Sequence, residues 1–206
     1  MNRNPSVPYC TVKGFSRCLD ILRESRPEIV DRKLLIERGL SQHAVYPVLG
    51  ALRYLGLLND EGRLTDSIEA FLDDTDIQGR REIVEKAYTD LLAVVTFPVG
   101  DREEIDSILK EQFDCASGVV AFCSTLFLWL AAEAGMPVAR LGRSRRGRPP
   151  AYLSQLSEPA RAYLLEQENE LAQPSGSLPA AFERVEDRPA PAVVPMPQRR
   201  TATDDA

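Results

Sequence analysis

Two helix-forming runs meet across only three residues, Gly39-Leu40-Ser41, and that joint limits the folds open to the chain more than any other feature. The first run opens at Asp31, a good N-cap residue, carries Leu34, Leu35 and Ile36, and ends at Gly39. The second opens at Ser41 and sets Val45, Val48, Leu49, Leu52 and Leu55 on one face before Gly56 stops it. So short a connection makes the pair a helix-turn-helix. A third apolar face, Phe15, Cys18, Leu19 and Leu22, precedes them between Thr11 as cap and Pro27 as stop. Pro47 stands inside the second run, where it removes one backbone hydrogen bond and bends the helix. After Gly56 the period changes. Leu57-Leu58-Asn59, Asp60-Glu61-Gly62 and Arg63-Leu64-Thr65 read as a short β-hairpin with a glycine-containing turn. Residues 7–66 are therefore predicted to form a winged helix-turn-helix lobe with a β-hairpin wing.

The remainder reads as mainly α. Residues 67–136 form a predicted helical lobe, a small bundle. It holds a short turn or helix at Ser67 to Leu72, then a helix over Arg80 to Val95 with Ile83, Val84, Ala87, Leu91 and Val94 inward. Asp101 caps a third segment with Ile105, Ile108 and Leu109, and Ser117 opens the run VVAFCSTLFLWLAA. That run, Val119 to Ala132, is apolar on nearly all sides. A bilayer span takes roughly 20 residues, so the shorter run is expected as a core helix, with contact to a second copy as the alternative. Residues 137–157 lack periodicity and read as a basic linker, 158–172 as a further helix, and the Pro- and Ala-rich 173–206 as a disordered tail.

The inventory of chemistry is short. There is no GxSxG, no P-loop and no GxGxxG. Four cysteines (Cys10, Cys18, Cys115, Cys123) and one histidine (His43) give no zinc spacing. They read as reduced, buried thiols. The acidic runs at Asp73 to Asp76 and Asp101 to Asp106 adjoin helix ends, where carboxylates complement the dipole, and lack EF-hand spacing. The expectation is a protein that is not an enzyme and needs no metal or cofactor. MNRNPSVPYC has no signal-peptide core, so a cytoplasmic location with no membrane association is expected.

The opening PYCTV (Pro8 to Val12), the helical pair and the phrase VYPVLGALRYLGLLNDEGRLT (Val45 to Thr65) resemble a prokaryotic family of domains of unknown function. Its members begin with a PYVTV-like motif and carry an IPLLKALGFLDEDGTPT-like segment. The resemblance spans roughly residues 7–134. It implies the winged-helix fold and makes the awkward Pro47 an expected feature, but it carries no activity.

Charge distribution bears on partners. The chain of 206 residues has a net charge of −6, which an even spread would set against nucleic acid. The spread is uneven: residues 1–58 carry +4, 59–139 carry −11, 140–150 carry +5 and 151–206 carry −4. Screening over about 10 Å makes local clusters decide. On the second helix of the pair, Gln42, His43, Tyr46, Gly50 and Arg53 are the predicted outward positions, suited to base edges and phosphates. Arg32, Lys33 and Arg38 on the preceding helix, and Lys13 and Arg17 on the first, suit the backbone. Arg63 on the wing offsets Asp60 and Glu61. In the linker, Arg143, Arg145, Arg146, Gly147 and Arg148 lead into Pro149 and Pro150, an AT-hook-like arrangement in which Arg-Gly-Arg enters a narrow A·T minor groove. The competing view has this segment solvated against the acidic lobe. Two functions remain open: a DNA-associated protein, such as a transcriptional regulator bound to double-stranded DNA, or a non-catalytic assembly module. The second would meet itself or another protein through the 118–134 helix and the acidic lobe.

Overall fold

The predicted caps act where local chemistry can place them. The computed structural model describes residues 7–97, 102–138 and 151–172. In α1 (Val12–Ser25) the Thr11 hydroxyl accepts from the Gly14 amide at 3.1 Å, and Phe15, Cys18, Leu19 and Leu22 are buried. In α2 (Arg32–Glu37) the Asp31 carboxylate accepts from the Leu34 amide at 2.7 Å. Gly39 then turns the chain at φ 92°, a left-handed conformation that only glycine adopts without cost. Its amide and that of Leu40 donate to Ile36 and Leu35, closing the end of α2. α3 (Gln42–Tyr54) follows directly, with Val45, Val48, Leu49 and Leu52 buried against α1 and α2. Ser41 holds the cap position, yet its hydroxyl makes no capping bond. Pro47 does lie inside α3.

The wing is corrected. Residues 57–65 reverse direction, with Asn59 donating to the Arg63 carbonyl at 3.0 Å and Thr65 to that of Leu57 at 3.1 Å. Only isolated bridges form, Leu58 with Leu64 and Ile29 with Arg63, and no strand is built among the described residues. The arms are three residues each, too short for a stable two-stranded ladder. The loop is pinned from the side instead: Val30 donates to the Gly62 carbonyl at 2.7 Å, and the Asn59 side chain accepts from the Arg63 amide at 2.9 Å.

A 3-10 turn (Asp66–Ile68) leads into α4 (Glu69–Leu72). The single helix predicted over Arg80 to Val95 is two: α5 (Ile77–Ala87), capped by Asp76 onto the Gly79 amide, and α6 (Thr89–Leu92). The interruption falls at Tyr88. That ring is fully buried, 5.1 Å from both Tyr54 and Phe127. Val94, predicted inward, is exposed. α7 (Arg102–Phe113) buries Ile105 and Leu109, while its predicted cap, Asp101, lies outside the described residues. α8 (Val120–Glu133) begins after a turn rather than at Ser117, and runs through the middle of the molecule against α1, α5 and α7.

Beyond residue 150 the chain returns to this centre. A second 3-10 turn (Ala151–Gln155) and α9 (Glu158–Ala172) pack on α8, with Leu156 and Ala160 buried. Trp129 donates from its indole nitrogen to the Gln155 carbonyl at 3.2 Å. One core thus takes residues from Val7 to Leu156. The predicted disordered tail, 173–206, lies outside the described residues. No helix among those described is long and apolar enough to cross a membrane.

Candidate functional site

The outward face of α3 follows from the helical period. With Val45, Val48, Leu49 and Leu52 turned inward, Gln42, His43, Tyr46, Gly50 and Arg53 must face out, and all five are exposed. The short turn at Gly39 brings the start of α2 beside this face. The Arg32 guanidinium sits 5.7 Å from the centre of the Tyr46 ring, in cation–π contact across the two helices. Lys33 is exposed and only loosely paired with Glu37, at 3.9 Å. Arg17 of α1 donates to the Arg38 carbonyl at 3.4 Å, linking the first helix to the end of α2. Arg53 has no ion pair among the described residues.

Arg63 is different. Its guanidinium is paired with Glu28 and lies 3.5 Å from Glu61, so its charge is already committed within the protein. The structure brings Arg32, Gln42, His43, Tyr46 and Arg53 to one surface, while Arg63 is engaged by Glu28 and Glu61. Arg143, Arg145, Arg146, Gly147 and Arg148 lie outside the described residues.

Two further features were not legible in the sequence. Arg80 and Glu133 are buried charges, 2% and 3% exposed, joined by a 2.7 Å bond. Arg80 also donates to the carbonyls of Ala70 and Asp73, and Glu133 accepts from the amide and hydroxyl of Ser157 at 2.6 and 2.7 Å. A cavity of about 200 Å³ borders this pair, lined also by Asp20, Arg23, Asp74 and Trp129. Its arginines are consumed by its own carboxylates and carbonyls. It is a clamp holding α9 to the core, and the Ser16 hydroxyl, which lines the same cavity, is buried without a hydrogen-bond partner among the described residues.

The second feature is a groove of about 250 Å³ at the start of α3, between Tyr9 and Cys10, Ser41, His43 and Pro47, and Phe122 of α8. Tyr9 is 50% and Phe122 45% exposed. A neighbouring groove of about 330 Å³ shares Cys10, Thr11 and Phe122 and adds Lys13 and Arg102. Tyr9 stood in the PYCTV motif without a role, and Phe122 was hidden inside the apolar run.

Cysteine chemistry is muted. All four cysteines are free, with Cys10, Cys18 and Cys123 buried and Cys115 partly so. Burial, reinforced by Cys18 and Cys123 nearby, pushes the Cys10 thiol up to about 12. Burial likewise takes Cys18 and Cys123 to about 12. Thiols held protonated are poor nucleophiles and poor metal ligands. Among the described residues no group of His, Cys, Asp and Glu stands together as a metal site. Comparison with family models, with curated proteins and with solved structures gives no match to the chain.

Proposed function

We propose that the chain is a DNA-associated helix-turn-helix protein, of the kind that serves as a regulator, with α3 as its groove-facing helix. The observation that carries this reading is the α2–α3 surface. A four-residue passage through Gly39 joins a short helix to a longer one whose first turns expose Gln42, His43 and Tyr46. Arg32 is already held against Tyr46, so its charge is presented at little further entropic cost. Gln42 suits the N6 and N7 edge of adenine, and Arg53, with Lys13, Arg17 and Arg38, suits phosphate oxygens. The Arg143 to Arg148 segment serves as an auxiliary minor-groove clamp under the same proposal. Assembly through the 118–134 helix is the weaker reading, because α8 is covered by the chain's own helices.

The test is fluorescence anisotropy with labelled duplexes, A·T-rich and G·C-rich, starting at about 50 mM salt. Arg32→Ala and Arg53→Ala are expected to weaken all duplexes alike, and Gln42→Ala to flatten sequence preference. Loss of the linker arginines should weaken A·T-rich duplex more than G·C-rich. If wild-type protein binds no duplex at the lowest salt, the proposal fails.

A further inference from the structure

The groove beside α3 carries more than the helix-turn-helix face requires. Tyr9, Tyr46 and Phe122 are three of the exposed large apolar side chains of the described residues, at 50%, 65% and 45%. Tyr9 and Phe122 line the groove directly, together with Pro47 of α3, and Tyr46 stands one helical turn from His43. These come from three separate parts of the chain: the segment before α1, the recognition helix, and the only end of α8 that reaches solvent. His43 and Ser41 line the same groove. Neither side chain makes a hydrogen bond among the described residues, and Ser41 leaves its helix end uncapped by its hydroxyl.

We propose that this groove takes an unstacked base of a single strand adjoining the duplex on α3, so that the favoured ligand is a duplex–single-strand DNA junction. The inference rests on the DNA reading above and names its ligand more closely. Flat aromatic faces accept any base, and cations beside them attract the backbone of a bound strand. Lys13 and Arg102 line the adjoining groove, and Arg32 lies over Tyr46. Arg102 is partly held by Ser124 at 3.3 Å and Asp106 at 3.7 Å, which leaves Lys13 as the unpaired cation of that groove among the described residues. His43 and Ser41 supply donors and acceptors for a base edge. Cations in the adjoining groove favour a phosphate backbone over an apolar protein face, whose interface cores are depleted of charge. An intact duplex cannot enter it, because its bases are stacked and only their edges are open.

The experiment measures three ligands: a blunt duplex, the same duplex with a thymine overhang of about six nucleotides, and the free oligonucleotide. Wild-type protein is expected to hold the overhang duplex about five- to a hundredfold tighter than the blunt one, the range for one stacked base. The double variant Tyr9→Ala with Phe122→Ala should lose that gain while its blunt-duplex affinity stays unchanged. Tyr9→Phe with Phe122→Tyr, which keeps both rings, should retain it. Both side chains are half in solvent, and the unchanged blunt-duplex affinity of the alanine variant reports that its fold is intact. Photo-crosslinking of an iodouracil overhang is expected at Tyr9 or Phe122. Equal affinity for blunt and overhang duplexes overturns the proposal, as does a gain that survives the double alanine variant. Binding of the free strand with none of the blunt duplex sinks the duplex reading and leaves the groove standing; binding of no ligand sinks both.

Discussion

Glu133 is the residue on which the C-terminal part of the described fold hangs. A carboxylate 3% exposed costs several kcal/mol to bury unless every lone pair is met. Here Arg80 supplies one donor and Ser157 two, so the same group that neutralises a buried guanidinium also anchors the start of α9. Glu133→Leu removes all three bonds and leaves the buried Arg80 with the Ala70 and Asp73 carbonyls and the longer pair with Asp74 at 3.4 Å. The expected loss is about 3–5 kcal/mol of unfolding free energy, read from urea denaturation. The double variant Arg80→Met with Glu133→Leu should recover part of it, because neither buried charge remains, while the Ala70 and Asp73 carbonyls and the Ser157 amide still lose their partners. A single variant within about 1 kcal/mol of wild type would show that water or movement of α9 rescues Arg80. The pair was not legible in the sequence. Its members stand far apart in the chain, each in a run that reads as ordinary helix, and only the packed fold brings them together.

At the scale of elements, what was legible is what neighbouring residues decide. Thr11 and Asp31 cap as predicted, because an N-cap needs only its own oxygen and an amide three residues on. The outward face of α3 was legible for the same reason, since burial of Val45, Val48, Leu49 and Leu52 fixes it by period. Tyr88 breaks the predicted Arg80 to Val95 helix because Tyr54 and Phe127 hold its ring, and neither is a local neighbour. The wing failed in the same way: its turn chemistry is that of a hairpin, but docking on Ile29 and Val30 decides its form. Gly62 is where that docking is tightest. It has φ 81°, and an added Cβ would stand 3.2 Å from the Val30 carbonyl oxygen. Gly62→Ala should cost about 1–2 kcal/mol, seen as a lower urea midpoint; an unchanged midpoint would mean the loop is free of Val30. Pro47 is the opposite case. It deprives the His43 carbonyl of its helical partner, so Pro47→Ala should raise the unfolding free energy, by up to about 3 kcal/mol. Any change in overhang binding by that variant would then be read against a helix that has become more stable.

Across the whole molecule, protonation and charge pull stability and binding in separate directions. The buried thiols Cys10, Cys18 and Cys123, whose ordinary value is 9.0, are each held up to about 12, chiefly by burial. Above pH 9 the unfolded chain therefore sheds protons that the folded chain keeps. Unfolding is favoured by that release, so this contribution is fully present below about pH 9 and is lost as pH rises through 9 towards 12. Tyr54, raised by burial and by Asp90 to about 12 from 10.0, acts in the same sense over the upper part of that window. Thermal melts by circular dichroism should fall steeply between pH 9 and 11, and a triple serine variant should fall less. Salt tests the other direction. A net charge of −6 predicts weak attraction to DNA only if charge is shared evenly, and it is not. The exposed cations of the first three helices, Lys13, Arg17, Arg32, Lys33, Arg38 and Arg53, stand on a part of the chain with net +4. Each phosphate neutralised contributes about −0.9 to the slope of log affinity against log salt. Four to six contacts from these helices therefore give a slope of about −4 to −5. Replacing Arg143, Arg145, Arg146 and Arg148 by alanine should flatten the full-chain slope by about 3.6 if all four lie on phosphates. A slope left unchanged by those four substitutions would show that the segment makes no phosphate contact and leave the helix-turn-helix as the polyanion contact.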